Sequence, residues 1–253
     1  MGAALRLLQL TDLHLTAHPD LAHKGVYPWQ RWQQALAQLR QQPHDLLLLS
    51  GDLAQHDAPN AYAALAQSLA DWPRPWRVIP GNHDDLVQMQ AALPASALCK
   101  SEVWGSWQLL YAYSCAHPDG RGGAALGQDE LAWLAHQLRH PQAANQLLLI
   151  HHPPLPVFSA WQDAIMLADA DALLRLTEQA AHLRVLLCGH VHQAHHWRYQ
   201  HWQAFSTPAL AAQFAPYQAQ MTLATGQQNL AAWRWLELFE DASMHTTVQR
   251  FSG

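Results

Sequence analysis

Five short apolar runs, each stopping at a cluster of aspartate, asparagine or histidine, constrain this chain more than any other feature. The runs are residues 5–10, 46–49, 76–79, 147–150 and 185–188. They stop at Asp12-Leu13-His14, Gly51-Asp52, Gly81-Asn82-His83-Asp84, His151-His152-Pro153-Pro154 and Gly189-His190-Val191-His192. Continuous apolar runs of this length are the pattern of strands buried on both faces of a sheet. Between the first two, Trp29, Trp32, Leu36 and Leu39 recur at the spacing of one helix face, which predicts a helix over 29–39. A second helix is predicted over 58–69, stopped by Trp72-Pro73 and Pro75. The alternation of strand, polar motif and helix predicts an α/β fold. Its polar motifs should gather at the carboxyl ends of the strands, where α/β sheets place their ligands.

Past Gly189 the texture changes. Residues 195–199, 204–206, 219–223, 232–238 and 245–251 are short and strand-like, which predicts a second, more antiparallel sheet there. No linker, charge block or repeat divides the chain, so residues 1–253 are expected to form one domain. The longest irregular segments, 118–123 and 153–162, flank motif-bearing strands and are expected near the site.

The motifs offer carboxylate and amide oxygen and imidazole nitrogen, with no thiolate. Asp12, His14, Asp52, Asn82, His151, His190 and His192 are the candidate metal ligands. That donor set suits a hydrolytic pair of hard or borderline cations, not a structural zinc. Iron and/or manganese are the expected cations, with zinc or cobalt also compatible. Two cations side by side are the usual device for in-line attack on phosphorus. Asp12 and His14 are two apart, as are His190 and His192, so each pair shares a face if its strand continues. Asp52 has two oxygens and is the candidate bridge between the cations, or else it caps the next helix. His83 adjoins Asn82 without being a ligand and is placed to donate a proton to a leaving oxygen. Asp84 either orients His83 or caps a helix beginning near Asp85. Strand alternation turns His151 and His152 to opposite sides, leaving His152 a supporting or packing role. His18, His23, His44 and His136 have no supporting neighbours in sequence. His195, His196 and His201 read as sheet residues, and Cys188, Trp233 and Trp235 as core.

Composition narrows the partners. With 14 Lys+Arg against 19 Asp+Glu the formal net charge is −5, which argues against a surface that coats nucleic acid or a polybasic membrane anchor. Cys99, Cys115 and Cys188 lack CxxC spacing, which favours a reducing compartment over a disulfide framework. A cleaved leader would remove part of the site, so none is expected, and no apolar stretch reaches bilayer-spanning length. A cytoplasmic protein acting on a small molecule is the expectation.

The order DxH, GD, GNHD, HHPP and GHxH resembles the motif set of the calcineurin-like metallophosphoesterases. Within them it resembles the bacterial class III cyclic nucleotide phosphodiesterases of the cyclic-AMP type. Gly51-Asp52-Leu53-Ala54-Gln55, Leu187-Cys188-Gly189-His190-Val191-His192-Gln193, Thr207-Pro208 and Gln213-Phe214 also resemble that subgroup. The resemblance runs from about residue 7 to residue 251. It implies a four-layer α/β/β/α sandwich of two mixed sheets. It also implies one cation on Asp12, His14, Asp52 and His192 and another on Asp52, Asn82, His151 and His190. The implied reaction is hydrolysis of a 3′,5′-cyclic nucleotide, cyclic AMP favoured, to the 5′-monophosphate. A hydroxide bridging the cations would attack, His83 would protonate the departing 3′ oxygen, and Asn82, His83 and His192 would contact substrate. The chain departs from the family pattern at Tyr113-Ser114, where Asp-Ser is usual, and in the loop 115–123. These departures leave open another phosphodiester or a nucleotide pyrophosphate as substrate. A non-catalytic scaffold fits poorly, because such proteins lose ligands and this chain keeps all seven.

Overall fold

The computed structural model describes residues 4–252. Its central strands are those the apolar runs predict. They are β1 (Leu5–Leu10), β2 (Leu46–Ser50), β3 (Trp76–Ile79), β6 (Asn145–Leu149) and β7 (Leu183–Cys188), and β2 and β6 are buried at every position. The remaining strands are β4 (Ser101–Trp104), β5 (Trp107–Tyr111), β8 (His195–Tyr199), β9 (Trp202–Ser206), β10 (Ala231–Leu238) and β11 (Met244–Phe251).

Two mixed sheets result. The first has the order β11-β10-β1-β2-β3 and the second β4-β5-β6-β7-β9-β8. Each has a parallel centre: β1, β2 and β3 in the first, and β5, β6, β7 and β9 in the second. Antiparallel strands finish one edge of the first sheet and both edges of the second, and parallel β3 forms the remaining edge.

Side-chain alternation explains the layering. Along β1, Leu5 and Leu7 face the other sheet, while Leu8 and Leu10 face helices. The inner layer joins Leu7, Leu46, Leu48 and Ile79 to Tyr111, Leu147, Leu149, Val185 and Leu187. On the outer face of the first sheet lie α1 (Pro28–Leu39), α2 (Ala61–Ser68) and α3 (Leu86–Ala92), through Trp32, Leu39, Leu65 and Met89. On the outer face of the second lie α4 (Gly127–Arg139) and α6 (Ala170–Glu178), through Leu134, Leu138 and Leu173; α5 (Ala160–Asp163) is a single turn. Each fully buried leucine contributes about 1.5–3 kcal/mol by leaving water. The expected α/β/β/α sandwich is therefore what forms.

Three expectations need correction. The strands after Gly189 do not form a sheet of their own: β8 and β9 complete the second sheet, while β10 and β11 return to the first. The reason lies in β10, which is apolar on both faces. Trp233 and Trp235 pack on the helix side, while Leu236 faces the other sheet, so the strand belongs inside a layered core against the open edge of β1. Residues 219–223 are not a strand. Gln220 and Met221 are exposed, and only an isolated bridge links Leu223 to Phe214. The β4–β5 hairpin was not anticipated, and its tip is Gly105 at φ +57°.

Candidate metal centre

Each of the seven candidate ligands leaves the carboxyl end of a strand. Asp12 and His14 follow β1, Asp52 follows β2 and Asn82 follows β3, all in the first sheet; His151 follows β6, and His190 and His192 follow β7, in the second. The centre thus lies on the seam between the sheets. Gln9 stitches that seam beneath it, donating to Ser50 Oγ at 2.8 Å and to the Cys188 carbonyl at 3.1 Å. The His190 N–H donates across it to Asp12 Oδ2 at 3.0 Å. Gly189 is required for this approach, because a Cβ there would come within 2.0 Å of Thr11 Oγ1.

The centre itself is tight. His192 Nε2 is 3.2 Å from both Asp12 Oδ1 and His14 Nε2. Asp52 Oδ2 is 3.6 Å from His14 Nε2 and 3.5 Å from His151 Nε2, so it stands between the two groups of histidines. On the far side Asn82 Oδ1 lies 3.0 Å from His190 Nδ1. Asp12, His14, Asp52, His190 and His192 all hold φ between +49° and +69°, a conformation that disfavours side chains other than Asn, Asp or Gly. Strain concentrated this way marks a functional site.

The outer hydrogen bonds set the histidine tautomers. His151 Nδ1 faces the Ser50 carbonyl at 2.8 Å, His192 Nδ1 the Ala212 carbonyl at 2.5 Å, and His190 Nε2 the Ile165 carbonyl at 2.9 Å. A carbonyl only accepts, so each of these ring nitrogens is the protonated one. The lone pair of each ring then points into the centre, the arrangement that metal-binding histidines use. His151 Nε2 and Asp12 Oδ1 are buried there without a hydrogen-bond partner. Buried polar atoms without partners are costly, and cations would supply what they lack. These donors fit a pair of metal ions on chemistry and placement. Burial opposes the charge of Asp52, yet His151, His83 and His14 hold its carboxyl well below the ordinary value. Burial likewise opposes a His151 cation, but Asp52 and Asp12 raise it to about 9, so a proton competes with a metal ion for the His151 Nε2 lone pair.

His83 borders the candidate ligands. Its backbone N–H donates to Asp52 Oδ1 at 2.9 Å, its ring meets His14 edge-on at 4.8 Å, and the ring stacks on His56 at 4.6 Å. Asp84 does neither of the two things expected of it. It accepts from the N–H groups of Leu53, Ala54 and Gly81 and from the Tyr62 hydroxyl, so it clamps the loop after β2 to the loop after β3. Asp85 caps α3, accepting from Val87 N and Gln88 N. Asp52 is no helix cap either, since α2 begins at Ala61. His152 turns away from Asp52 as alternation requires. It bonds Ser114 Oγ at 2.8 Å and the Gly122 carbonyl at 3.0 Å, and its ring packs on His190 at 4.4 Å. Both irregular segments do reach the site: Gly122 adjoins Asn82 and His190, and Gln162 Nε2 donates to the Val191 carbonyl at 2.8 Å.

Three further residues flank the centre: Gln55 and Phe214, which the subgroup resemblance included without a role, and His23, which sequence reasoning passed over. Gln55 touches His14 Nδ1 at 2.6 Å, His23 stacks on His14 at 5.1 Å, and Phe214 lies against His192 at 4.4 Å. His23 carried no local signal because a turn, not a motif, brings it there.

Comparison with known proteins agrees with this architecture. Residues 5–194 match the calcineurin-like phosphoesterase family. The 3′,5′-cyclic adenosine monophosphate phosphodiesterase CpdA of Escherichia coli K12 is 33% identical over 99% of this chain and 91% of that protein. A probable cyclic nucleotide phosphodiesterase of Synechococcus is 32% identical over 96% of this chain and 91% of that protein. Among solved structures, a dimetal phosphatase from Danio rerio superposes with a TM-score of 0.67 over 99% of this chain and 100% of that one, at 11% identity, a likeness of fold alone. The match takes in every strand that feeds the centre, and the kinship runs the length of the chain: this protein belongs to the calcineurin-like phosphoesterase family.

Proposed function

We propose that this protein is a dinuclear-metal phosphodiesterase that hydrolyses 3′,5′-cyclic nucleotides, cyclic AMP favoured, to 5′-monophosphates. The observation that carries the metal reading is the set of imidazole lone pairs and carboxylate oxygens converging without partners at the seam of the two sheets. The cyclic-nucleotide substrate follows from what CpdA and the Synechococcus protein are named for. In this reading Asp12, His14, Asp52 and His192 hold one cation, and Asp52, Asn82, His151 and His190 hold the other. Asp52 would be the shared ligand, a reading supported by its Oδ2 lying nearly equidistant from His14 and His151. Iron and/or manganese are proposed, with zinc or cobalt able to occupy the same nitrogen and oxygen donors. When bound, such a pair supplies Lewis-acid activation of water and of the phosphoryl group.

The chain's own groups do the rest. Asn82 and His192 border the space where the phosphoryl group would sit, and His83 faces it with Nδ1 unpartnered. Burial lowers the pKa of His83, which makes its cation a stronger acid toward the ribose 3′ oxygen. The protein is proposed to work as a single cytoplasmic domain on a small molecule. Among the described residues no helix is long and apolar enough to cross a membrane.

One observation favours a second reading, a different phosphodiester or a nucleotide pyrophosphate. Tyr113 is committed elsewhere, its hydroxyl donating to the Leu98 carbonyl and its ring under Lys100, while Gly122 of the atypical loop reaches the edge of the centre. Turnover of metal-reconstituted protein on cyclic AMP, cyclic GMP, linear diesters, dinucleoside polyphosphates and monoesters separates the readings. Cyclic AMP should give the highest kcat/KM. Activity confined to linear diesters or pyrophosphates would replace the first reading with the second.

A further inference from the structure

Lys24 and Gly25 form the tip of a two-residue turn. His23 and Val26 exchange both backbone hydrogen bonds, at 2.8 and 3.1 Å, and φ is +48° at Lys24 and +79° at Gly25. Positive φ at both central positions is the turn that prefers Asn, Asp or Gly at the first of them. A lysine there is strained, and strain held at the rim of a site points to use. The turn sets the ammonium against two rings that pack on candidate ligands. Lys24 Nζ lies 3.1 Å from His23 Nε2 and 5.9 Å from the centroid of Phe214. These are the rings that pack on His14 and His192 respectively. An ammonium only donates, so His23 accepts and stays neutral in this contact. Among the described residues no carboxylate comes within 4.0 Å of Lys24 Nζ, although the side chain is half-buried.

We propose that Lys24 is a substrate-contacting residue that donates to a non-bridging phosphoryl oxygen as the second negative charge develops on it. The inference rests on the phosphodiesterase reading above. A cyclic diester carries one negative charge, whereas the transition state and the monoester product carry a second. An added cation therefore favours the later species, which raises kcat more than it lowers KM.

The test compares Lys24→Met, Lys24→Asn and Lys24→Arg in the metal-loaded full chain. Asparagine tolerates the left-handed turn, so Lys24→Asn separates loss of charge from loss of shape. Both neutral variants should lose about 10- to 100-fold in kcat/KM for cyclic AMP, the effect of one charge-assisted hydrogen bond. KM should change by less than about threefold, and AMP binding measured calorimetrically should weaken about tenfold or more. Metal content should be unchanged, and Lys24→Arg should recover most of the activity. If wild type ignores cyclic nucleotides but cleaves bis(4-nitrophenyl) phosphate, the substrate reading fails, and the same comparison is made with that diester and with calorimetry of inorganic phosphate. Neutral variants within about twofold of wild type in both kcat/KM and product or phosphate affinity would overturn the proposal. So would a loss that tracks metal content.

Discussion

Replacing Asp84 by asparagine should loosen the metal centre from behind. The carboxylate accepts from Leu53 N at 3.0 Å, Ala54 N at 3.1 Å, Gly81 N at 2.9 Å and Tyr62 Oη at 3.0 Å. Leu53 adjoins Asp52 and Gly81 adjoins Asn82, so one side chain sets the spacing of two candidate ligand loops. Asparagine keeps one acceptor oxygen and turns an NH₂ toward donors. About two of the four donors lose their acceptor, and each stranded buried donor costs about 1–3 kcal/mol, or about 2–6 kcal/mol together. Burial and the charge of Asp52 push Asp84 up to about 7, against the pull of the three N–H groups. A neutral side chain relieves that repulsion, so the expected loss is at the low end, about 2–3 kcal/mol. That is a large share of a typical stability of about 5–15 kcal/mol. Urea unfolding followed by circular dichroism measures it, and elemental analysis after reconstitution measures metal occupancy. Both should fall, while Tyr62→Phe, which strands the Asp85 N–H but none of the three N–H groups that hold Asp84, should cost about 1–2 kcal/mol and leave metal occupancy unchanged. An Asp84→Asn protein within about 0.5 kcal/mol of wild type that still binds two metals at wild-type affinity would refute the clamp.

Gly81→Ala should be folded but metal-poor: its Cβ would lie 2.2 Å from Asp52 Oδ1 and 2.8 Å from His151 Nε2, so Asp52 must shift by about 1 Å, which costs about a hundredfold in turnover. Full metal content with normal activity would contradict that geometry. His83→Ala should keep both metals and lose about 10²- to 10⁴-fold on cyclic nucleotides but markedly less on a nitrophenyl diester, whose leaving group needs no proton; equal losses would point to a positioning role. In chelator, stability should fall as pH drops from about 6.5 to about 4. Burial lowers His152 to about 3 and His23 to about 4, and holds His14 and His190 well below the ordinary value of 6.5, so the unfolded chain takes up protons first. Each such histidine contributes about 1.4 kcal/mol per pH unit in that window. Asp84, pushed up to about 7, offsets one histidine's share in this window, because the folded chain takes up that proton first; His151, raised to about 9, does not, because its contribution is lost only as pH rises through that value. A flat stability profile between those limits would show these imidazoles to be solvated.

The parallel centres of both sheets were legible in the sequence because a strand buried on both faces must be apolar throughout, and its end shows as the first run of polar residues. The grouping of Asp12, Asp52 and Asn82 in one sheet, and of His151 and His190 in the other, was legible for the same reason, since parallel strands in register bring their carboxyl ends together; the meeting of the two groups was decided by the packing of the sheets. The partition of strands between sheets was not. Pairing is a choice between partners far apart in sequence, and β10 reads alike whether it joins β1 or a sheet of its own. The loop chemistry was also hidden. Asp84 is spaced like a helix cap but becomes an inter-loop clamp because the hydrogen-bond donors nearest it belong to the loop after β2. His23 and Lys24 sit in an unremarkable stretch of sequence, and only the left-handed turn lays His23 on His14 and Lys24 on His23. Residue types and burial periodicity are local properties, and they determined which strands form and which side chains end them. Which carbonyl holds which imidazole, and which cation stands beside the centre without a counter-ion, are distances between remote segments, and only the packing of the two sheets decided them.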